Sequence, residues 1–276
     1  MAKRPSLLAI FAHPDDETIA AGGTLARYAQ AGVRTALLCA TRGEWGSISD
    51  DALASYQNLG RVRERELRAA CAVLGVRWLR FLNLPDGGLS WAVEEENALE
   101  KVVRLIRKLR PQVIVTFGPD GLYGHDDHII IGQLTTEAFG MAGDPQAFPE
   151  HLAQGLAPHH PAKLYYAAFR QGLVPTLVER LAQAGQPSNL WGLSPDQFGI
   201  PEGEITATID VHPFLDRKLA ALRCHRTQLA SDNTFAMLTP ELAAEFLGVE
   251  HFRRYPNNGN GQIMETDLFA GLNFNR

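Results

Sequence analysis

Four short apolar segments recur along the first half of the chain: SLLAIFA at 6–12, RTALLCAT at 34–41, RWLRFLN at 77–83 and QVIVTFG at 112–118. Each is short and partly β-branched, the pattern of strands buried on both faces. Between them, apolar residues at helical spacing predict helices over about Glu17–Gln30, Arg61–Leu74 and Val93–Leu109, stopped by Gly32, Gly75 and Pro111. Strands joined by single helical crossovers build a parallel sheet with right-handed connections and helices on both faces. The predicted fold class is α/β: a Rossmann-like three-layer sandwich with a mostly parallel sheet, its site at the carboxyl ends of the strands.

The second half is less regular. Residues 141–162, rich in Pro and Gly, read as a long loop or lid. KLYYAAF (163–169) and EITATIDV (204–211) read as later strands, and a helix is expected from Pro213 to Leu229 with Pro in its first turn. The tail from Tyr255 is weakly patterned. One domain is expected over 1–276, with an α/β core in 1–140 and the loop, later strands and last helix in 141–276.

Charge and cysteine usage narrow the partners. Lys and Arg number 26 and Asp and Glu 31, a net charge of −5 without long blocks of one sign, which argues against nucleic acid or an anionic membrane. No stretch approaches the roughly 18 apolar residues of a membrane span, and MAKRPS is not followed by a signal-type apolar region, so a cytoplasmic protein is expected. Cys39, Cys71 and Cys224 are far apart in apolar or helical sequence and read as reduced structural thiols.

The chemistry lies where the apolar pattern breaks. FAHPDDETIA (11–20) runs from a strand straight into a histidine, a proline and three acids, whose carboxylates repel unless solvated, paired or holding a cation. FGPDGLYGHDDHIIIG places His125 and His128 just beyond the fourth strand, so both clusters should open into one crevice. Together they offer His13, Asp15, Asp16, Glu17, His125, Asp126, Asp127 and His128. Two imidazoles and a carboxylate are a common catalytic zinc set. His13 and Asp16 are three apart and can chelate one ion, which His128 closes; with no thiolate, zinc is the first choice and Fe(II) or another divalent ion the second. Such an ion would acidify water and polarise a carbonyl, the requirement for amide hydrolysis. Asp15 is then free to take the proton, and His125 to stabilise the oxyanion or protonate the leaving amine. A lone acid after a strand is commonly an N-cap, but matched clusters at two strand ends point to a site. His151, His159 and His160 belong to the loop, His212 precedes Pro213, and His251 has no evident context; none of these is recruited.

AHPDDE, TRGEWG (41–46), RERELRAACAVLGV (63–76) and YGHDDH (123–128) resemble the LmbE-like, or PIG-L, family of zinc-dependent N-deacetylases. LRCHRTQL (222–229) is similar to that family's carboxyl-proximal His-x-Ser-Gln element. The likeness spans about residues 6–140 and recurs near 213–229. It implies one Zn2+ per chain held by His13, Asp16 and His128, with Asp15 as base and His125 as acid or oxyanion partner, oriented by Asp127. It further implies that Arg42 and Glu44 shape the pocket and that Arg63, Asp86 and His225 meet the substrate.

Members of that family mostly remove acetyl from N-acetylglucosaminyl conjugates, and some cleave amides of thiol conjugates; a homo-oligomer is compatible with the resemblance. The leading expectation is release of acetate from a small N-acetylated amino sugar conjugate. The alternative is an amidase acting on a thiol conjugate or other non-sugar amide; a non-catalytic sugar-binding protein ranks third. A nucleotide-binding site ranks last, because the first strand is followed by acids rather than a glycine-rich turn. Two positions depart from the family pattern: Thr227 replaces Ser, and Asp126 replaces Pro, an added anion expected to favour the charged form of His125.

Overall fold

The computed structural model describes residues 5–190, 192–231, 233–235, 238–256 and 264–272. Strand β1 (Ser6–Phe11) is buried at every position, as the continuous apolar run requires. It pairs in parallel with β2 (Arg34–Cys39) on one side and β4 (Val113–Phe117) on the other, Leu7 facing Thr35 and Val113. Beyond β2 lies β3 (Trp78–Phe81), and beyond β4 lies β5 (Lys163–Ala168), both parallel. Two antiparallel strands complete the sheet: β7 (Val249–Tyr255) pairs with β5 and with β6 (Ala207–Asp210). The order is β3-β2-β1-β4-β5-β7-β6. The chain leaves β1 toward β2 and returns to β4, so β1 and β4 flank a switch point whose carboxyl ends open a crevice.

Helices α1 (Asp16–Gln30) and α2 (Leu59–Leu74) pack with α7 (Leu215–Leu222) over one face. On the other lie α3 (Leu89–Glu95), α4 (Ala98–Leu109) and α5 (Asp126–Met141). Helices α6 (Leu173–Gln183) and α8 (Pro240–Leu247) bury Leu177, Leu181, Leu242 and Phe246 in a satellite cluster of their own. Among the described residues no helix is long and apolar enough to cross a membrane.

The early strands and first two helices stand where the apolar pattern puts them; four expectations need correction. The helix predicted over Val93–Leu109 is two, because Asn97 takes a left-handed conformation between α3 and α4. The helix predicted over Pro213–Leu229 begins as a 3-10 turn at His212–Phe214 and ends at Leu222, after which the chain turns inward. Strand β7 went unpredicted, since its inward positions alternate a charge, Glu250, with Phe252.

Residues 141–162 are not a lid. The guanidinium of Arg107 is 2% exposed and donates to the carbonyls of Ala142, Asp144, Ala147 and Phe148 and to His151 Nδ1, fastening this segment to α4. His151, expected in a solvated loop, is fully buried against Glu100.

A buried ion pair joins the two halves. Ala21 leaves helical geometry inside α1, and the backbone N–H groups of Gly23 and Thr24 both donate to the Glu250 carboxylate at 2.8 Å. Lys218 Nζ on α7 lies 2.7 Å from the same carboxylate, with both side chains about as buried as the core. Removing one member of such a pair strands the other charge. Lys218→Met should therefore lower the unfolding free energy by about 3 kcal/mol. In urea denaturation the double variant Lys218→Met/Glu250→Gln should lose less than the two single variants summed; simple additivity would show that the pair is not coupled.

Candidate active site

The crevice at the β1 and β4 ends encloses about 610 Å³ and is lined by His13, Asp15, Asp16, Arg63, Asp86 and His125 among others. His13 lies two residues past the end of β1, and the intervening Ala12 is held by Thr41, which donates to its carbonyl through both N–H and hydroxyl. His128 sits in the first turn of α5, its ring stacked on Phe117 of β4 with centroids 4.0 Å apart. Its Nδ1 lies 3.1 Å from the Gly121 carbonyl and so carries the proton. Gly121 is required there: its φ is +56, and a Cβ would meet Ile129 Cγ1 at 2.7 Å.

His128 Nε2 is therefore a bare lone pair, and it lies 3.2 Å from His13 Nδ1 and 3.2 Å from Asp16 Oδ1. The far nitrogen of His13, Nε2, faces two carboxylates, Asp86 Oδ1 at 3.1 Å and Asp127 Oδ2 at 3.2 Å, and is a donor. His13 Nδ1 is then turned toward the shared space, 3.5 Å from Asp16 Oδ2. These spacings, with Asp16 turning Oδ1 to His128 and Oδ2 to His13, lie near the roughly 3.3–3.4 Å that separates the ligand atoms of a tetrahedral ion with bonds of about 2.0–2.1 Å. His13, Asp16 and His128 together form a group able to hold a metal ion.

The electrostatics agree. Burial works against charging His13, yet its hydrogen bonds to Asp127, Asp16 and Asp86 hold the imidazole well above its ordinary value. Burial likewise opposes ionisation of Asp16, yet His128 and His13 hold its carboxyl well below the usual range. The cluster is built to accept positive charge at its centre. A second triad, His13, Asp86 and Asp127, can be drawn around the other ring nitrogen. There Asp127 is already satisfied by the N–H groups of Gly87 at 2.8 Å and Leu89 at 3.2 Å, so it serves as a brace for His13.

Asp15 occupies the N-cap position of α1 but does not cap it: its carboxylate accepts no bond from the helix and meets Arg63 Nη2 at 3.2 Å. Its φ of 113 is left-handed, which a non-glycine residue adopts only when its surroundings hold it. Burial pushes its carboxyl up to about 6 against the pull of the Arg63 guanidinium. Arg63 is 3% exposed and donates to the carbonyls of Gly43 at 2.8 Å and Pro14 at 2.6 Å, so it braces Asp15 while lining the crevice. The approach is possible because residue 43 is glycine, where a Cβ would meet Arg63 at 2.0 Å.

His125 lines the crevice, and its Nδ1 accepts from the Asp127 N–H at 3.2 Å, which leaves the proton of the neutral ring on Nε2. Burial, with the neighbouring His128 and His13, holds its pKa below the ordinary value. The expected effect of Asp126 is overridden, since that side chain is exposed in the first turn of α5. Asp127, expected to orient His125, does so through its backbone; its carboxylate serves His13.

The remaining residues divide. Asp86 lines the crevice and accepts from the Trp45 N–H at 2.8 Å, while Glu44 accepts from the Asp86 N–H at 3.0 Å. Arg42, expected to shape the pocket, turns away: it pairs with Glu64 at 2.7 Å and Asn83 at 2.6 Å and covers the Phe81 ring. His225, expected at the substrate, is fully buried behind Glu17, with Nε2 2.9 Å from Glu17 Oε1. Sequence reasoning missed the crevice's other wall, Tyr123, Phe169, Phe198 and Phe235. Tyr123 opens the recognised YGHDDH stretch, but the three phenylalanines come from separate segments that carry no motif. Gln228, also at the crevice, stood inside a recognised stretch, three residues beyond His225.

Over residues 8–139 the chain matches the PIG-L family, described as GlcNAc-PI de-N-acetylase. A 1D-myo-inositol 2-acetamido-2-deoxy-alpha-D-glucopyranoside deacetylase from Thermobispora bispora is 35% identical over 302 residues, spanning 96% of this chain and 98% of that protein. A protein of the same name from Acidothermus cellulolyticus is 36% identical over 299 residues, spanning 97% of this chain and 95% of its own. Among solved structures, N,N'-diacetylchitobiose deacetylase from Pyrococcus horikoshii shares the fold with a TM-score of 0.67, covering 91% of this chain and 84% of that one at 23% identity. With a third of its residues identical to these relatives over nearly its whole length, the chain belongs to the PIG-L family of de-N-acetylases.

Proposed function

We propose that the protein removes the acetyl group from a small N-acetylglucosaminyl conjugate, of the type in which the amino sugar is carried on inositol, and that zinc is its metal. The observation that carries this reading is the convergence of His13 Nδ1, His128 Nε2 and the Asp16 carboxylate, each turned inward by a hydrogen bond at its other end. The inositol conjugate is the substrate named for relatives that match this chain from end to end.

His13, Asp16 and His128 would hold a divalent ion, which would supply Lewis-acid polarisation of the acetamide carbonyl and a nucleophilic water at neutral pH. The protein's own groups do the rest. Asp15, at the crevice wall and positioned by Arg63, takes the proton of the attacking water. His125 presents its Nε2–H to the oxygen on which negative charge develops, and the proton that Asp15 has taken from the water passes to the departing amine nitrogen as the C–N bond breaks. The sugar lies between a polar wall, Asp86, Arg63 and Gln228, and the aromatic wall of Tyr123, Phe169 and Phe198. That pairing suits a pyranose, which offers hydroxyls at its edge and C–H groups on its faces.

Metal analysis of the purified protein should find close to one zinc per chain, lost on dialysis against a chelator together with acetate release and restored with it. His128→Ala and Asp16→Ala should bind no stoichiometric metal. Asp15→Asn should keep its zinc while kcat falls by about 10²–10⁴-fold; an Asp15→Asn enzyme with unchanged turnover would give the proton-transfer role to another group. His125→Ala should cost about 10²–10³-fold in kcat with little change in metal content. Competition between an N-acetylglucosaminyl-inositol and non-sugar amides decides the substrate class, and preference for a non-sugar amide sinks the sugar assignment.

A further inference from the structure

Asp15 is held in an unfavourable backbone conformation, and the groups that fix its N–H lie outside the crevice. Its N–H donates to Glu17 Oε2 at 3.0 Å, a bond made across two residues that fixes the turn in which φ is 113. Glu17 is 1% exposed, and its other oxygen accepts from Thr18 Oγ1 and from His225 Nε2 at 2.9 Å. His225 is itself fully buried, and its Nδ1 has no partner, so the ring commits its one useful donor to Glu17.

The segment carrying His225 is anchored independently. Thr227 donates through its N–H and hydroxyl to Glu66 of α2 at 2.9 and 2.6 Å, and Gln228 donates to the Ser47 carbonyl at 2.9 Å. A side chain on the carboxyl-terminal half is thereby set rigidly against the third acid of the HPDDE run.

We propose that Glu17 and His225 are a positioning pair: His225, fixed by the turn after α7, orients the Glu17 carboxylate, which pins the Asp15 N–H and so holds the Asp15 side chain toward Arg63 and the crevice. A non-glycine residue in this region is strained, and the strain persists only where neighbours over-determine it. The pair is that over-determination. The inference deepens the proposed deacetylase reading, on which its kinetic arm rests; its backbone arm does not.

The test uses the full-length zinc-loaded protein and three variants, Glu17→Gln, His225→Phe and His225→Gln. The first keeps only one acceptor oxygen, the second removes the donor to Glu17, and the third restores a donor. Glu17→Gln and His225→Phe should lower kcat on the N-acetylglucosaminyl substrate by about 10–100-fold, the usual effect of losing an orienting partner. KM should stay within about twofold and zinc at one per chain, and His225→Gln should recover most of the loss. Crystal structures should show Asp15 at positive φ in the parent and relaxed to negative φ in His225→Phe.

Unchanged kcat in both Glu17→Gln and His225→Phe overturns the proposal, as does an unmoved Asp15 φ. So does a loss of activity that tracks zinc content or unfolding in all three variants, since that marks a merely structural pair. If His225→Phe does not fold, Glu17→Gln against His225→Gln carries the same comparison. Should the parent release no acetate from any sugar conjugate, the proposed function fails by itself, and the Asp15 backbone angle still decides this inference.

Discussion

Two imidazole nitrogens and a carboxylate, each group within 3.5 Å of the other two, are the constraint on which the rest of the molecule depends. Left without positive charge between them, two imidazole lone pairs and a carboxylate repel, and a nearly dry site makes that repulsion expensive. The protein prevents the easy escapes by occupying the other end of each ligand: His128 is tied to the Gly121 carbonyl and stacked on Phe117, and His13 is backed by Asp86 and Asp127. The Asp16 carboxylate accepts from the His13 N–H, so even the backbone between the two ligands is used to aim them. A rigid, electron-rich cage of this kind selects a small hard or borderline cation.

The same device of holding a group from behind recurs one step out. Asp15 is flanked by Arg63 on its carboxylate and Glu17 on its N–H; Arg63 is in turn held by the Pro14 and Gly43 carbonyls. Charges alternate outward from the centre, with acids beside the imidazoles, cations beside the outer acids and backbone carbonyls beside the cations. Each buried charge thus has a partner, which burial demands. The Glu250–Lys218 pair extends the pattern to the middle of α1, where the break at Ala21 frees backbone donors for a carboxylate from β7.

How much of this could be read from the chain depends on the range of each interaction. The alternation of apolar runs and helices gave the parallel core, and the rule that sites open at strand ends joined His13 to His128 across more than a hundred residues. Local breaks were visible only where a strong signal marked them: Gly75 ended α2 as expected, whereas the left-handed Asn97 inside an amphipathic run did not betray the α3–α4 boundary. Partners of buried charges were not legible. Arg107 lies in the last turn of α4 and is the anchor of residues 141–162, because five carbonyl or imidazole acceptors that no pattern announces converge on it. Motif residues fared in the same way. Arg42 and His225 stand in recognisable stretches, yet their side chains face Glu64 and Glu17 instead of the crevice, since a motif fixes which residue is present and the surrounding packing fixes where it points.

This division bears on how chemistry and selectivity are apportioned along the chain. The three donor atoms, Asp15 and His125 all lie between residues 13 and 128, inside the 8–139 span that matches the family. Much of the crevice wall does not: Phe169, Leu193, Phe198, Gln228 and Phe235 follow β5 and sit on the irregular stretches around β6 and α7. A sheet that continues through β5, β7 and β6 keeps those stretches in fixed register with the centre, so the wall is placed as firmly as the cage. Changes there alter the outline a substrate must fit while leaving the cation cage untouched. The exception is His225, which reaches from the second half of the chain to the back of the HPDDE run. Through it, substitutions in the last third of the chain can reach the orientation of Asp15 without touching a bound sugar.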